Sequence, residues 1–174
     1  NNIEIGLRRH IGRITGEANV YYNEVDDYIG LQLDADGDVG KYVNRDAVFT
    51  GIEGKINVQV WERSGSEFSF SLFADQVRAR FDRGGDLPRI HPPKLGISFS
   101  WSGNNWNSHL KWMRVQQQDR IGRIELETPG YHRVSLYVDR HWQLGEHSDI
   151  TLFARASNLM DEEIRNHASL LKNF

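Results

Sequence analysis

Histidine and carboxylate are the strong metal-ligand types this chain offers, because its 174 residues contain no cysteine. A neutral imidazole is a natural zinc ligand. Seven histidines are present: His10, His91, His109, His132, His141, His147 and His167. No two stand at the i, i+4 spacing of a helical metalloenzyme site, and no His-x-His pair places two rings on one face of a strand. Any metal site must therefore be assembled across loops. The run Asp34-Ala35-Asp36-Gly37-Asp38 opens like a calcium loop, but its twelfth position is Arg45 instead of the bidentate glutamate such a loop needs. What remains is an acidic loop tip that attracts cations electrostatically. The paired carboxylates Asp26-Asp27 and Glu162-Glu163 fall at predicted strand edges, where solvation accounts for them. Nucleophilic catalysis finds no constellation. Ser108 and His109 are adjacent, so on a strand they leave on opposite faces, and Ser135 and His141 share a face but lie about 20 Å apart along it. No enzyme activity is expected.

The elements that must position these residues announce themselves by period-2 alternation, which recurs eight times along the chain. The apolar partners are Ile3, Ile5, Leu7; Ala18, Val20, Tyr22; Ile56, Val58, Val60; and Phe68, Phe70, Leu72, Ala74. They continue with Leu95, Ile97, Phe99, Trp101; a weaker Leu110, Trp112; Val134, Leu136, Val138; and Ile150, Leu152, Ala154. Polar or small residues mostly fill the intervening positions. A soluble sandwich shows the same alternation, so the connections must discriminate. Short links are predicted near residues 10–13, 62–66, 103–105 and 145–148. Long polar links are predicted at 31–48, 82–93 and 118–130. Regular alternation of tight turns and long loops is the habit of an outer-membrane barrel, with turns in the periplasm and loops outside. Both ends of the segment then lie on the extracellular side.

Tryptophan placement agrees. Trp61, Trp101, Trp106 and Trp142 all stand beside predicted periplasmic turns, at the level where amphipathic rings gather at a membrane interface. Trp61 has the level but falls on the lumen parity of its strand. His91 and His167 fall in predicted extracellular loops, as do Asp34, Asp36 and Asp38, while His109 and His141 fall on lumen parity.

Composition excludes several classes. No stretch approaches the roughly 18–20 apolar residues of a spanning helix. A mean hydropathy of −0.59 does not argue against a barrel, in which only alternate residues face lipid. The net charge of −3 gives no nucleic-acid footprint. The opening Asn1-Asn2-Ile3-Glu4 has no basic and apolar leader, which reads as a processed chain or an internal piece.

Particular motifs sharpen the reading. Residues Ile150-Thr151-Leu152-Phe153-Ala154-Arg155-Ala156-Ser157-Asn158-Leu159-Met160-Asp161 rise through a strand into a small-residue–Asn–Leu–x–Asp ending. Asn1-Asn2-Ile3-Glu4-Ile5-Gly6-Leu7-Arg8, Tyr21-Tyr22-Asn23-Glu24-Val25-Asp26-Asp27-Tyr28-Ile29 and Phe49-Thr50-Gly51-Ile52-Glu53-Gly54 precede it in order. Together these resemble successive landmarks of the TonB-dependent outer-membrane receptors, with Met160 where that family usually has phenylalanine. Residues 87–96, from Leu87-Pro88-Arg89 to Leu95-Gly96, and the tail from Asn166 to Phe174 resemble the branch associated with zinc uptake.

The resemblance implies an all-β, antiparallel, up-and-down transmembrane β-barrel segment of about eight strands, occupying residues 1–174, in the bacterial outer membrane. The family's plug domain and final strand are not found in it. It implies part of a receptor for a metal ion or metal chelate, zinc favoured as transported ligand with no resident cofactor. The expected partners are outer-membrane lipids, the metal or chelate, and the TonB complex through the missing plug. The expected ligand-binding residues are His91, His167, Asp34, Asp36 and Asp38, with His91 and His167 as metal ligands. The alternative is a stand-alone eight-stranded barrel or a soluble β-sheet binding protein without transport.

Overall fold

The computed structural model describes residues 1–33, 40–123, 125–145 and 147–169. Eight strands follow in chain order: β1 Asn2–Ile11, β2 Ile14–Leu33, β3 Gly40–Arg63, β4 Ser66–Phe81, β5 Lys94–Gly103, β6 Trp106–Val115, β7 Tyr131–Gln143 and β8 Asp149–Ser157. Each pairs antiparallel with its chain neighbour, giving one sheet in the order β1 to β8. Among the described residues β1 and β8 do not pair with each other. The sheet is an open wall, and a self-closing eight-stranded barrel is not what forms.

The tight turns have the chemistry their geometry needs. Ser64-Gly65 and Asn104-Asn105 both take positive φ at both positions (51° and 74°; 51° and 63°). That is the backbone of the two-residue hairpin whose twist matches its strands. Gly12, at φ 55°, opens the first turn.

Register sorts the side chains. One row of direct partners reads Ile11, Ile14, Val58, Phe70, Phe99, Leu110, Leu136, Ala156. The adjoining row on the opposite face reads His10, Thr15, Asn57, Ser71, Ser98, Lys111, Ser135, Ser157. A one-residue slip would exchange these faces, so burial of one face in an apolar medium holds the register. The apolar face is bare: Ile5 and Leu7 are 73% and 70% exposed, and Leu152 is 67% exposed. A contiguous apolar surface of this kind has no stable place in water; against hydrocarbon it is the solvated side.

Two expectations are corrected. Residues 31–48 were expected as a long loop. Instead β2 and β3 continue as a paired ribbon to Leu33↔Gly40, past an irregularity between Val25 and Tyr28 where Asp27 takes φ 54°. The Asp27 amide donates to the Asp46 carboxylate at 3.0 Å, and Tyr28 packs edge-on against Phe49 and Phe81, which ties the ribbon to the wall. Simple parity also put Trp61 toward the lumen. A bulge intervenes: Gln59 pairs with Ser69, yet Trp61 pairs with Phe68. The extra residue returns Trp61 to the apolar face, in one row with Phe68 and Trp101.

Candidate functional site

The site has three parts: the polar face of the wall, a cap above it at the end away from the tight turns, and the loop histidines. The polar face carries cross-strand side-chain pairs. Asn19 donates to Glu53 at 2.9 Å, Ser71 to Asn57 at 2.7 Å, Asn107 to Asp139 at 2.8 Å, and Lys94 meets Asp75 at 3.3 Å. Glycines let large groups lie flat here. A Cβ at Gly51 would run into the ring of its direct partner Tyr21, and one at Gly96 would meet the ring of Phe73, its partner on β4, at 2.5 Å. Lys111 then places its ammonium 4.5 Å from the centroid of Phe73. A surface of charges, amides and hydroxyls of this kind lines an aqueous lumen.

The cap arises because β5 starts low. β5 pairs with β4 only up to Asp75↔Lys94, which leaves the upper edge of β4 open. Residues 82–93 turn back to fill it. The Leu87 amide donates to the Ala79 carbonyl at 2.9 Å, and the Phe81 amide to Gly85 at 3.0 Å. Leu87 is fully buried and joins Ala47, Ala79 and Phe81 in the one hydrophobic cluster among the described residues, with Tyr28, Val43, Phe49 and Ile90 packed around it.

Residues 116–123, 125–130 and 158–169 lock onto that loop through a polar knot. One oxygen of Glu125 accepts from the Arg89 amide at 2.9 Å and lies 3.2 Å from Nε2 of His167; the other accepts from the Gly122 amide at 2.9 Å. Thr128 Oγ1 stands 3.0 Å from Nδ1 of His167. Gln118 donates to the Ile90 carbonyl at 2.8 Å. Gly122 approaches the Pro88 backbone so closely that a Cβ would sit 2.9 Å from its Cα, and only glycine fits there. A cleft of about 530 Å³ opens between upper β4 and upper β6 and β7, lined by Arg78, Asp86, Arg114, Arg120 and His132 among others.

The predicted site residues separate on this frame. His91 lies exposed on the capping loop. His167 is buried, with its ring nitrogens facing Thr128 and Glu125, so the structure does not present it beside His91 as a surface ligand. Asp34, Asp36 and Asp38 lie outside the described residues. Among the described residues no three His, Asp or Glu side chains stand together as a metal-holding group. His109 pairs across strands with Ser100 (2.9 Å), not with Ser108, and His141 with Thr151 (3.1 Å). The four tryptophans expected at the membrane interface, Trp61, Trp101, Trp106 and Trp142, share the apolar face. Sequence reasoning missed Glu125, Thr128 and Gln118. They sit in an irregular loop, and no local pattern marks a polar side chain whose distant partners lie 28 to 42 residues away.

A model of the family described as TonB dependent receptor-like, beta-barrel, matches residues 1–159. Among solved structures the chain is similar to one titled Copper transporter OprC, with a TM-score of 0.77 and 20% identity. The match covers 96% of this chain and 26% of that one, so the chain spans about a quarter of the length of the protein it matches.

Proposed function

Since this chain belongs to the TonB-dependent receptor β-barrel family of the bacterial outer membrane, we propose that it supplies part of the wall and the extracellular cap of a receptor that takes up a metal ion or metal chelate. The observation that carries the reading is a polar lumen face roofed by a packed loop cap. A bare scaffold needs no such roof, whereas a receptor must present a shaped outer surface to its solute and a wet path below it. The similarity to a structure titled a copper transporter supports a metal cargo. Zinc is favoured by the resemblance of residues 87–96 and 166–174 to the zinc branch and by exposed His91, an imidazole suited to that ion.

In this reading His91 captures, His167 holds the cap in shape, and Asp34, Asp36 and Asp38 add negative potential at the outer loops. The four tryptophans mark the inner membrane margin, with outer-membrane lipids against the apolar face. Energy for release arrives from the TonB complex, acting through a plug seated against the polar face.

Uptake of radioactive zinc chloride and copper chloride by cells carrying the intact receptor tests the proposal. Accumulation of zinc is expected to require both receptor and TonB, and His91→Ala should lower it several-fold at limiting zinc. Copper uptake in place of zinc would replace the cargo. Uptake of neither, with the receptor present in the membrane, would remove the metal reading.

A further inference from the structure

The apolar face carries an arginine beside the tight turns whose side chain has no counter-ion or hydrogen-bond partner among the described residues. The guanidinium carbon of Arg140 lies 5.0 Å from the ring centroid of Trp106, its direct partner on β6, and 4.7 Å from that of Trp142, two residues along β7 on the same face. Its partner on β8 is Leu152. Nε is buried and has no hydrogen-bond partner. Among the described residues the carboxylates nearest in sequence belong to the polar face: Asp139 accepts from Asn107, and Asp149 lies 3.9 Å from His141. Arg140 is thus a cation set among two indoles and a leucine, on the surface that meets lipid, at the membrane margin.

Contact with two rings holds the guanidinium in place, while no described carboxylate neutralises its charge. The terminal nitrogens remain as donors, and their planar fork matches a phosphate oxygen pair in a way an ammonium does not. A free anion has no chains to lie on the apolar surface above the guanidinium. A lipid presents its phosphate at that level while its chains lie along Leu152, Val138 and the rows above.

We propose that Trp106, Arg140 and Trp142 form a clamp for the phosphate of a glycerophospholipid in the leaflet next to the short turns. The clamp holds one lipid against β6–β8, whatever solute the receptor carries.

The intact receptor, purified in a mild detergent, is titrated with phosphatidylglycerol, with diacylglycerol of the same chains, and with inorganic phosphate, and adducts are counted by native mass spectrometry. Arg140→Gln is expected to weaken the tightest phosphatidylglycerol adduct about fivefold, the effect of one basic side chain near a charged headgroup. Diacylglycerol and inorganic phosphate should bind wild type and variant alike. Arg140→Lys keeps the charge and loses the fork, so it should also bind phosphatidylglycerol more weakly than wild type. Equal phosphatidylglycerol binding by wild type and Arg140→Gln, or by wild type and Arg140→Lys if the glutamine variant fails to assemble, would overturn the clamp. So would inorganic phosphate binding that is lost with Arg140.

Discussion

His167 shows how much one side chain contributes when it is the common partner of two loops. It is 1% exposed, and it joins Thr128 and Glu125, whose carboxylate in turn holds the amides of Arg89 and Gly122. His167→Ala leaves buried polar groups short of a partner, which costs about 1–3 kcal/mol. That loss is local, so limited proteolysis of the intact receptor should open at residues 82–93 and 116–130 while the strands stay protected. Cleavage unchanged from wild type would show the knot to be dispensable. Gly51 offers a second case. The Tyr21 ring occupies the place of its absent side chain. Gly51→Val must push that ring aside, and overpacking of this sort costs about 1–3 kcal/mol. A lower unfolding midpoint in detergent is the expected reading.

At the level of elements, turn chemistry decides which hairpins close. Asn105 sits at φ 63°, and its carbonyl accepts from the His141 amide at 2.8 Å. A β-branched residue avoids that conformation, so Asn105→Val should destabilise the β5–β6 hairpin by about 1–2 kcal/mol, read as a lower urea midpoint with the wild-type m-value. Much of this level was legible in the sequence. Alternation gave eight strands, and Gly12-Arg13, Ser64-Gly65 and Asn104-Asn105 gave three of the tight turns, because period and turn preference are local properties. The β2–β3 ribbon was not legible, since Asp26-Asp27 read as the edge of a strand and the polar run 31–48 as a long loop. Its stability comes from Tyr28 packing on Phe49 and Phe81, contacts between residues far apart in the chain. The bulge that turns Trp61 to the apolar face was hidden for a related reason: a single inserted residue leaves no trace in composition. Of the candidate site, the placement of His91 in the loop between β4 and β5 was legible. The burial of His167 was not, because it depends on three segments folding over the open edge of β4.

For the whole molecule, the architecture is one wall with two chemically different faces and two open edges. An unpaired strand edge recruits other chains. The segment produced by itself is therefore expected to require detergent and to form mixed oligomers through β1 and β8, visible as a broad elution profile with strand-rich circular dichroism. A sharp monomer in detergent-free buffer would contradict the membrane assignment. The most direct test of that assignment uses the absence of cysteine from the chain. Single cysteines are placed in turn at positions 133 to 138 of β7 in the intact receptor, within outer membranes, and exposed to a water-soluble maleimide. The account predicts labelling at Arg133, Ser135 and Tyr137, which share the polar face, and protection at Val134, Leu136 and Val138, which share the apolar one. Uniform labelling at all six positions, or protection of the odd-numbered ones instead, would contradict a wall with lipid on one side and water on the other.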